Sequence, residues 1–196
     1  MMNDEIDIKW NQVTFSGIDA AKKSNTRMEN PVFSFFNSSD STAATEILFS
    51  RNTFDEKVSF WSEPDAANIS SNGRNRSLQL KPDSYSVSFE YPLDSLSGAR
   101  KNEDLMFRTS MWAKGSSGAK AIFVISIEKN GKSLLWKAVD LQGFILERNT
   151  MNFVTNFVNP EADLICQKGL MLKVYAWNNG SETIEVDDFS VRIEKK

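Results

Sequence analysis

The sequence predicts an all-β fold, a two-sheet antiparallel β-sandwich, and three observations support this prediction. Apolar residues alternate with polar ones at a period of two in several short segments, as in strands with one face in water. Asn, Gly, Ser and Asp separate about eight such segments, and these are the residues that favour turns. No stretch combines an apolar period of 3.6 residues with helix caps. Many short strands divided by turn residues are typical of a sandwich.

Turn residues predict two β-hairpins. The strand 121–127 leads into Asn130 and Gly131, and the strand 133–139 follows. An Asn-Gly pair between two apolar runs supplies the positive φ angles that a type I′ turn needs. Residues 170–193 repeat this order around a second turn, which predicts another hairpin.

The remaining strands are predicted from alternation. Tyr85, Val87, Phe89 and Tyr91 alternate with polar residues, which predicts one strand with a single wet face. Further strands are predicted at 46–50, 58–61, 77–80, 105–113 and 151–157.

The first 45 residues have a different character from the rest of the chain. An aromatic segment at 33–36 is followed by a polar, serine-rich stretch at 37–42. We therefore expect residues 1–45 to be an N-terminal extension or the tail of a preceding unit. Residues 46–196 are expected to form the sandwich, and that length is sufficient for one core without disulfides.

Composition excludes several classes of function. The net charge is −3 and no block of Lys and Arg occurs, which argues against a nucleic-acid partner. No apolar run approaches the ~20 residues of a membrane span. The chain has no histidine, so Ser-His-Asp and Cys-His nucleophile systems and histidine-ligated zinc are excluded. The first residues are acidic and polar, unlike a secretory signal.

The last predicted strand changes phase at Asp187 and Asp188. Apolar residues occupy positions 184 and 186, and then positions 189, 191 and 193. One extra residue in a strand absorbs such a shift, so the pattern predicts a β-bulge at the acidic pair. The bulge is expected to redirect the two carboxylates.

Four segments, in order, form a further pattern: Asn52–Asp55 before Trp61, Asn72-Gly73 before Ser77–Leu80, Thr109–Lys114 with its Trp112, and Leu172–Asn178 before Val186–Val191. This pattern resembles the galactose-binding-like jelly rolls of carbohydrate-binding modules of families four, nine and twenty-two, and surface domains of Bacteroidetes. The resemblance covers roughly residues 46–196. It implies a jelly-roll fold, a polysaccharide or glycan partner, and a secreted, periplasmic or cell-surface location.

The resemblance also implies a structural Ca²⁺ ion that joins the first strand to the last. Its ligands would be Asp55 and Asp188, with Asp187 as an alternative and backbone carbonyls near Asn52 assisting. Carboxylates and carbonyls are the ligands that Ca²⁺ prefers. The competing interpretation is that Asp187 and Asp188 only bond to backbone N–H groups at a bulge or turn.

Sugar binding needs aromatic rings, because pyranose faces stack on rings while hydroxyls need directed polar partners. Trp136, Tyr85 and Tyr91 are the candidate ligand-binding residues, and Trp136 is the least constrained because it lies just past a hairpin. The resemblance implies that Trp112 and Trp177 are buried in the core.

Catalysis by two carboxylates is the remaining route to an enzyme. Four acidic residues lie on separate predicted segments without a recognisable spacing: Glu90, Glu128, Asp140 and Glu147. We interpret them as side chains of a solvated face. The first hypothesis is therefore a non-catalytic carbohydrate-binding-like module that serves recognition or targeting. The alternative is a structural or adhesion domain that contacts protein and has no sugar site. A glycosidase or lyase with two carboxylates is a third hypothesis.

Overall fold

A computed structural model describes five stretches of the chain: residues 45–72, 75–96, 105–116, 119–145 and 149–195. Residues 1–44 lie outside them. The predicted division between an extension at 1–45 and a sandwich at 46–196 therefore stays a prediction.

The described residues are mainly strands. Their bounds are β1 (Thr45–Asn52), β2 (Ile69–Asn72), β3 (Asn75–Leu80), β4 (Ser84–Tyr85), β5 (Phe89–Pro92), β6 (Leu105–Lys114), β7 (Ala121–Lys129), β8 (Lys132–Asp140), β9 (Asn152–Val158), β10 (Leu170–Asn178) and β11 (Ile184–Lys195). One short helix, α1 (Ala162–Ile165), and 3-10 turns at Ala66–Asn68, Leu93–Leu96 and Leu141–Gly143 connect them. Within the described stretches, no helix has the length and apolar character needed to cross a membrane.

The strands form two antiparallel sheets, which confirms the predicted sandwich. Sheet A has the order β2-β3-β11-β6-β9, and β1 also pairs with β11. Sheet B has the order β4-β10-β7-β8, and β5 also pairs with β10. Along one edge, β11 pairs first with β3 and then with β1, and β10 pairs first with β5 and then with β4.

The first predicted hairpin is confirmed. β7 and β8 pair directly, from Ile122 opposite Asp140 to Lys129 opposite Lys132. Asn130 has a φ angle of 50° and Gly131 one of 72°, so both turn residues adopt the left-handed backbone expected for a type I′ turn.

The second predicted hairpin is wrong, because β10 belongs to sheet B and β11 to sheet A. The buried side chain of Asn178 explains the crossing. Its Nδ2 donates to the carbonyl of Glu182 at 2.7 Å and to that of Leu80 at 2.8 Å, and its Oδ1 accepts from the Gly180 N–H at 3.0 Å. The amide thus ties the turn to β3, a strand of sheet A, and the chain passes between the sheets.

The predicted single strand at 85–91 contains an interruption. Tyr85 pairs with Trp177 and Phe89 with Val174, so four steps along this segment match three along β10. Because of the extra residue, the alternate side chains that point outward in β4 correspond to side chains that point inward in β5. Tyr85 therefore lies on the outer face of sheet B, whereas Phe89 points into the core.

The predicted bulge in β11 is confirmed. Asp187 pairs with Trp112 and Ser190 with Ser110, so β11 holds one residue more than β6 between these pairs. Asp188 lies in the bulge with a φ angle of 59°. On its other edge, β11 changes partner from β3 to β1 at the same place. The bulge thus lets one strand serve two partners in succession.

An aromatic cluster around Phe189 joins the two sheets. This residue of β11 is fully buried, and its ring centroid lies 5.9 Å from Phe54, 5.7 Å from Trp61 and 5.7 Å from Phe123. Phe123 belongs to β7 in sheet B, so the contact spans the sandwich. Aromatic residues contribute the largest apolar areas to a core, and Phe189 is at the centre of this one.

Candidate functional site

The outer face of sheet B carries the candidate site. Along β10, Leu172, Val174 and Ala176 are buried, and the alternate residues Lys173 and Trp177 point away from the core. The register of the neighbouring strands places further side chains beside them. We call this surface the B face, and its residues used below are Tyr85, Glu90, Ser126, Glu128, Trp136, Lys173, Tyr175 and Trp177.

Aromatic rings form one end of the B face. The rings of Tyr85 and Trp177 stack at 5.7 Å with an interplanar angle of 13°, and Tyr175 meets Tyr85 edge-on at 5.7 Å. Tyr85 is 62% exposed. The stack holds this ring in place while leaving it accessible, which is what a flat, apolar ligand surface requires.

A second exposed ring, Trp136, lies on the edge strand β8 and is 54% exposed. It pairs with Ser126 of β7, which in turn pairs with Lys173 of β10. Tyr175 pairs with Val124 of β7, which pairs with Ala138 of β8, two residues along that strand from Trp136. The Cα atoms of Tyr175 and Trp136 are therefore about 12 Å apart. The two aromatic groups thus flank the middle of the face.

Charged groups lie beside these rings, in or next to the register row of Trp136. The Lys173 ammonium is 3.2 Å from a carboxylate oxygen of Glu128 and 3.6 Å from one of Glu90. Burial alone would lower the pKa of Lys173, but hydrogen bonding to Glu128 and the charges of both carboxylates outweigh it and raise this pKa. Lys173 therefore remains an ammonium at neutral pH, with a donor for a bound hydroxyl.

An open pocket of about 300 Å³ lies beyond Glu90, on the side opposite Trp136, and is lined by Phe60, Trp61, Ser62 and Glu90. The Glu90 N–H donates to the Phe60 carbonyl at 2.7 Å, which attaches this segment to the edge of β5. A row of groups thus runs from the pocket across four strands to Trp136.

Tyr91, the third predicted ligand-binding residue, is buried at 8% exposure. Its ring stacks on Phe89 with centroids 6.1 Å apart. The interruption between β4 and β5 is the reason, since it places Tyr85 on one side of the sheet and Tyr91 on the other. Tyr85 and Trp136 therefore share the B face, and Tyr91 is removed from the candidates.

Two tryptophans expected in the core are half-buried on outer faces. Trp177 contributes to the B face, and Trp112 packs edge-on against Phe153 at 5.4 Å on the outer face of sheet A. Each shares its strand face with a charged residue, Lys173 in β10 and Lys114 in β6. A tryptophan and a lysine at alternate positions of one strand lie on the same face, and the lysine indicates that this face is solvated. This pattern predicts from the sequence that Trp177, Tyr175 and Lys173 lie on a solvated face.

No family model and no curated protein matches the sequence. Solved structures similar to the chain include a xylan-binding module, CBM15, with 12% identity over 76% of this chain and 96% of that chain and a TM-score of 0.46. The CBM22-2 xylan-binding domain from Paenibacillus barcinonensis shares 14% identity over 75% of this chain and 99% of that chain, with a TM-score of 0.43. TmCBM27, a carbohydrate-binding module that recognises mannan, shares 14% identity over 78% of this chain and 98% of that chain, with a TM-score of 0.44.

The described residues do not fit the calcium site that the resemblance implies. Both carboxylate oxygens of Asp188 accept hydrogen bonds from the guanidinium of Arg51, so a side-chain cation already lies at the bulge. Asp55 has an exposed side chain, and Arg76 donates to its backbone carbonyl at 3.3 Å. In the part of the chain that the structure describes, no three Asp, Glu, Cys or His side chains, Asp187 included, form a group that could hold a metal ion. Ca²⁺ requires about six to eight oxygen ligands.

The acidic residues considered for catalysis have other partners. Glu90 and Glu128 both pair with the Lys173 ammonium. Asp140 accepts a hydrogen bond from the Gln142 N–H at 2.9 Å and caps a 3-10 turn. Glu147 lies outside the described residues.

The outer face of sheet A carries exposed rings that are divided by charges. Phe49 on β1 and Phe157 on β9 are exposed, but Arg192 and Arg108 lie between them in the register. The Arg192 guanidinium lies 5.1 Å from the centroid of the Phe49 ring, and Glu194 lies within ion-pair distance of both arginines. These rings therefore do not form one continuous apolar patch of the kind that marks a protein interface.

Proposed function

We propose that the chain is a non-catalytic carbohydrate-binding module and that the B face holds the glycan. One observation carries the proposal: two half-exposed rings, Tyr85 and Trp136, share one sheet face with a lysine and two carboxylates. Pyranose rings present apolar faces that stack on aromatic side chains, and their hydroxyls need donors and acceptors at fixed positions.

The two exposed rings and the charged groups of the B face have separate roles in this proposal. Tyr85 and Trp136 stack on separate sugar rings along the glycan. Two protons of the Lys173 ammonium point to Glu90 and Glu128, which leaves the third for a sugar hydroxyl. The carboxylates accept hydrogen bonds from neighbouring hydroxyls, and such charge-assisted bonds are stronger than neutral ones.

The proposed module binds without cleaving. A glycosidase needs one carboxylic acid and one carboxylate with the scissile bond between them. Glu90 and Glu128 both pair with Lys173, so the acids orient a ligand instead of transferring protons. By the sequence resemblance, we place the module in a secreted, periplasmic or cell-surface protein, where it would direct a larger protein to its glycan.

A screen of the folded protein on a glycan array and on immobilised polysaccharides tests the proposal. We expect reproducible binding to one class of glycan, and equal binding in calcium and in chelator because Arg51 already pairs with Asp188. Circular dichroism and a melting curve serve as the folding control. A blank screen with folded protein would refute the proposal and favour the structural or adhesion alternative. Binding that disappears in chelator would instead restore the calcium prediction.

A further inference from the structure

Phe60 holds an exposed ring on a strained backbone, at the pocket beyond the edge of β5. Its φ angle is 69°, in the left-handed region that bulky residues rarely adopt. The hydrogen bond between its carbonyl and the Glu90 N–H holds this conformation, as does edge contact with the Tyr91 ring at 4.9 Å. The ring is 48% exposed as a result. The fold therefore keeps an aromatic wall open to solvent at this position.

The pocket also carries an incompletely neutralised carboxylate. Glu90 and Glu128 share the single ammonium of Lys173, so the three groups together carry one negative charge. Lys173 lies closer to Glu128, at 3.2 Å, than to Glu90, at 3.6 Å. Ser88 donates to Glu90 at 3.3 Å, but this hydroxyl is neutral. The excess negative charge therefore lies at the Glu90 end of the row, in the pocket.

We propose that this pocket binds the end residue of a glycan and selects a sugar with a free amine ahead of neutral or acidic sugars. The inference rests on the proposed function and specifies its ligand. A protonated amine would pair with the Glu90 carboxylate, and the apolar face of the same sugar would lie against Phe60. Ser62 supplies a hydroxyl for the remaining polar groups. A volume of about 300 Å³ suits one sugar ring and not a longer segment.

The test compares three hexamers with the same β-1,4 linkage, built from glucosamine, N-acetylglucosamine or glucose. Calorimetry is run at low ionic strength, where exposed charges are weakly screened, and at a pH where the amine is protonated. We expect the glucosamine hexamer to bind at least tenfold more tightly than the glucose hexamer. Glu90→Gln removes the charge that pairs with the amine, so the affinities for the glucosamine and glucose hexamers are expected to fall within about twofold of each other.

Glu63→Gln is the matched control, because Glu63 is a nearby exposed carboxylate that pairs with Lys57 and does not line the pocket. It should leave the preference for glucosamine unchanged. Equal affinity for the amine and neutral hexamers, or a preference that survives Glu90→Gln, would overturn the inference while leaving glycan binding intact. Failure of every glycan, in this test and in the wider screen, would overturn the proposed function and this inference together.

Discussion

Replacing Tyr85 and Trp136 together with alanine should weaken glycan binding about a hundredfold, to the detection limit of most assays. Each ring is expected to contribute about tenfold, or about 1.4 kcal/mol, as exposed aromatic anchors commonly do. The two residues lie three strands and four residues apart in the register, about 20 Å, so their effects should add. Isothermal calorimetry with the glycan found by screening measures both single variants and the pair.

The matched control is the pair Phe49→Ala and Phe157→Ala on the outer face of sheet A. These rings are also exposed, so the control removes comparable apolar surface from the other side of the sandwich. Affinity should stay within about twofold of the unaltered protein, as expected for residues outside a binding site. If the sheet A pair abolishes binding and the B-face pair retains it, the site has been assigned to the wrong face.

Phe189→Ala should lower the free energy of unfolding by about 3–5 kcal/mol, the usual cost of removing a buried phenyl group. This residue of sheet A is fully buried, and its ring contacts Phe123 of sheet B and Trp61, so its removal leaves a cavity between the two sheets. Urea denaturation followed by tryptophan fluorescence measures the change, with the slope of the transition checked for two-state behaviour.

Phe157→Ala removes the same side chain from an exposed position and should change stability by about 0.5 kcal/mol or less. Phe189→Leu provides a milder variant if alanine prevents folding, with an expected loss of about 1–2 kcal/mol. A loss below about 1 kcal/mol for Phe189→Ala would contradict the role of this ring as the contact between the sheets.

Local patterns predicted most of the strands because the relevant physics is local. Alternation places side chains on opposite faces of a strand, and the Asn130-Gly131 pair favours the positive φ angles of a two-residue hairpin turn. The phase change at Asp187 and Asp188 likewise required a bulge, since one unmatched residue must be absorbed in the strand. These features depend on neighbours in the sequence, and the structure contains each of them.

Two errors arose where distant residues decide the geometry. The turn after β10 has the composition of a hairpin turn, but the Asn178 amide donates to Leu80, 98 residues earlier in the chain. The interruption between β4 and β5 depends on Ser86, whose hydroxyl accepts from the Ala176 N–H at 2.8 Å. In both cases a side chain takes the place of a backbone group as hydrogen-bond partner. The alternation of apolar and polar residues in the segment does not show such a replacement.

The candidate site was only partly predictable. Tyr85 and Trp136 were found because exposed rings are needed for sugar binding. Trp177 was assigned to the core by resemblance, although Lys173 in the same phase indicates a solvated face. The pocket at Phe60 could not be read from the sequence, because its open ring depends on a backbone conformation that phenylalanine rarely adopts.

A map of backbone amide chemical shifts tests the central claim, glycan binding on the B face, most directly. The isotopically labelled protein is titrated with the glycan that binds in the screen. We predict the largest shifts at Ser126, Trp136 and Lys173, together with the indole N–H of Trp136, and unchanged signals at Ser110 and Arg192 on the opposite sheet. Shifts concentrated at Ser110 and Arg192, with the B-face amides unchanged, would contradict the account.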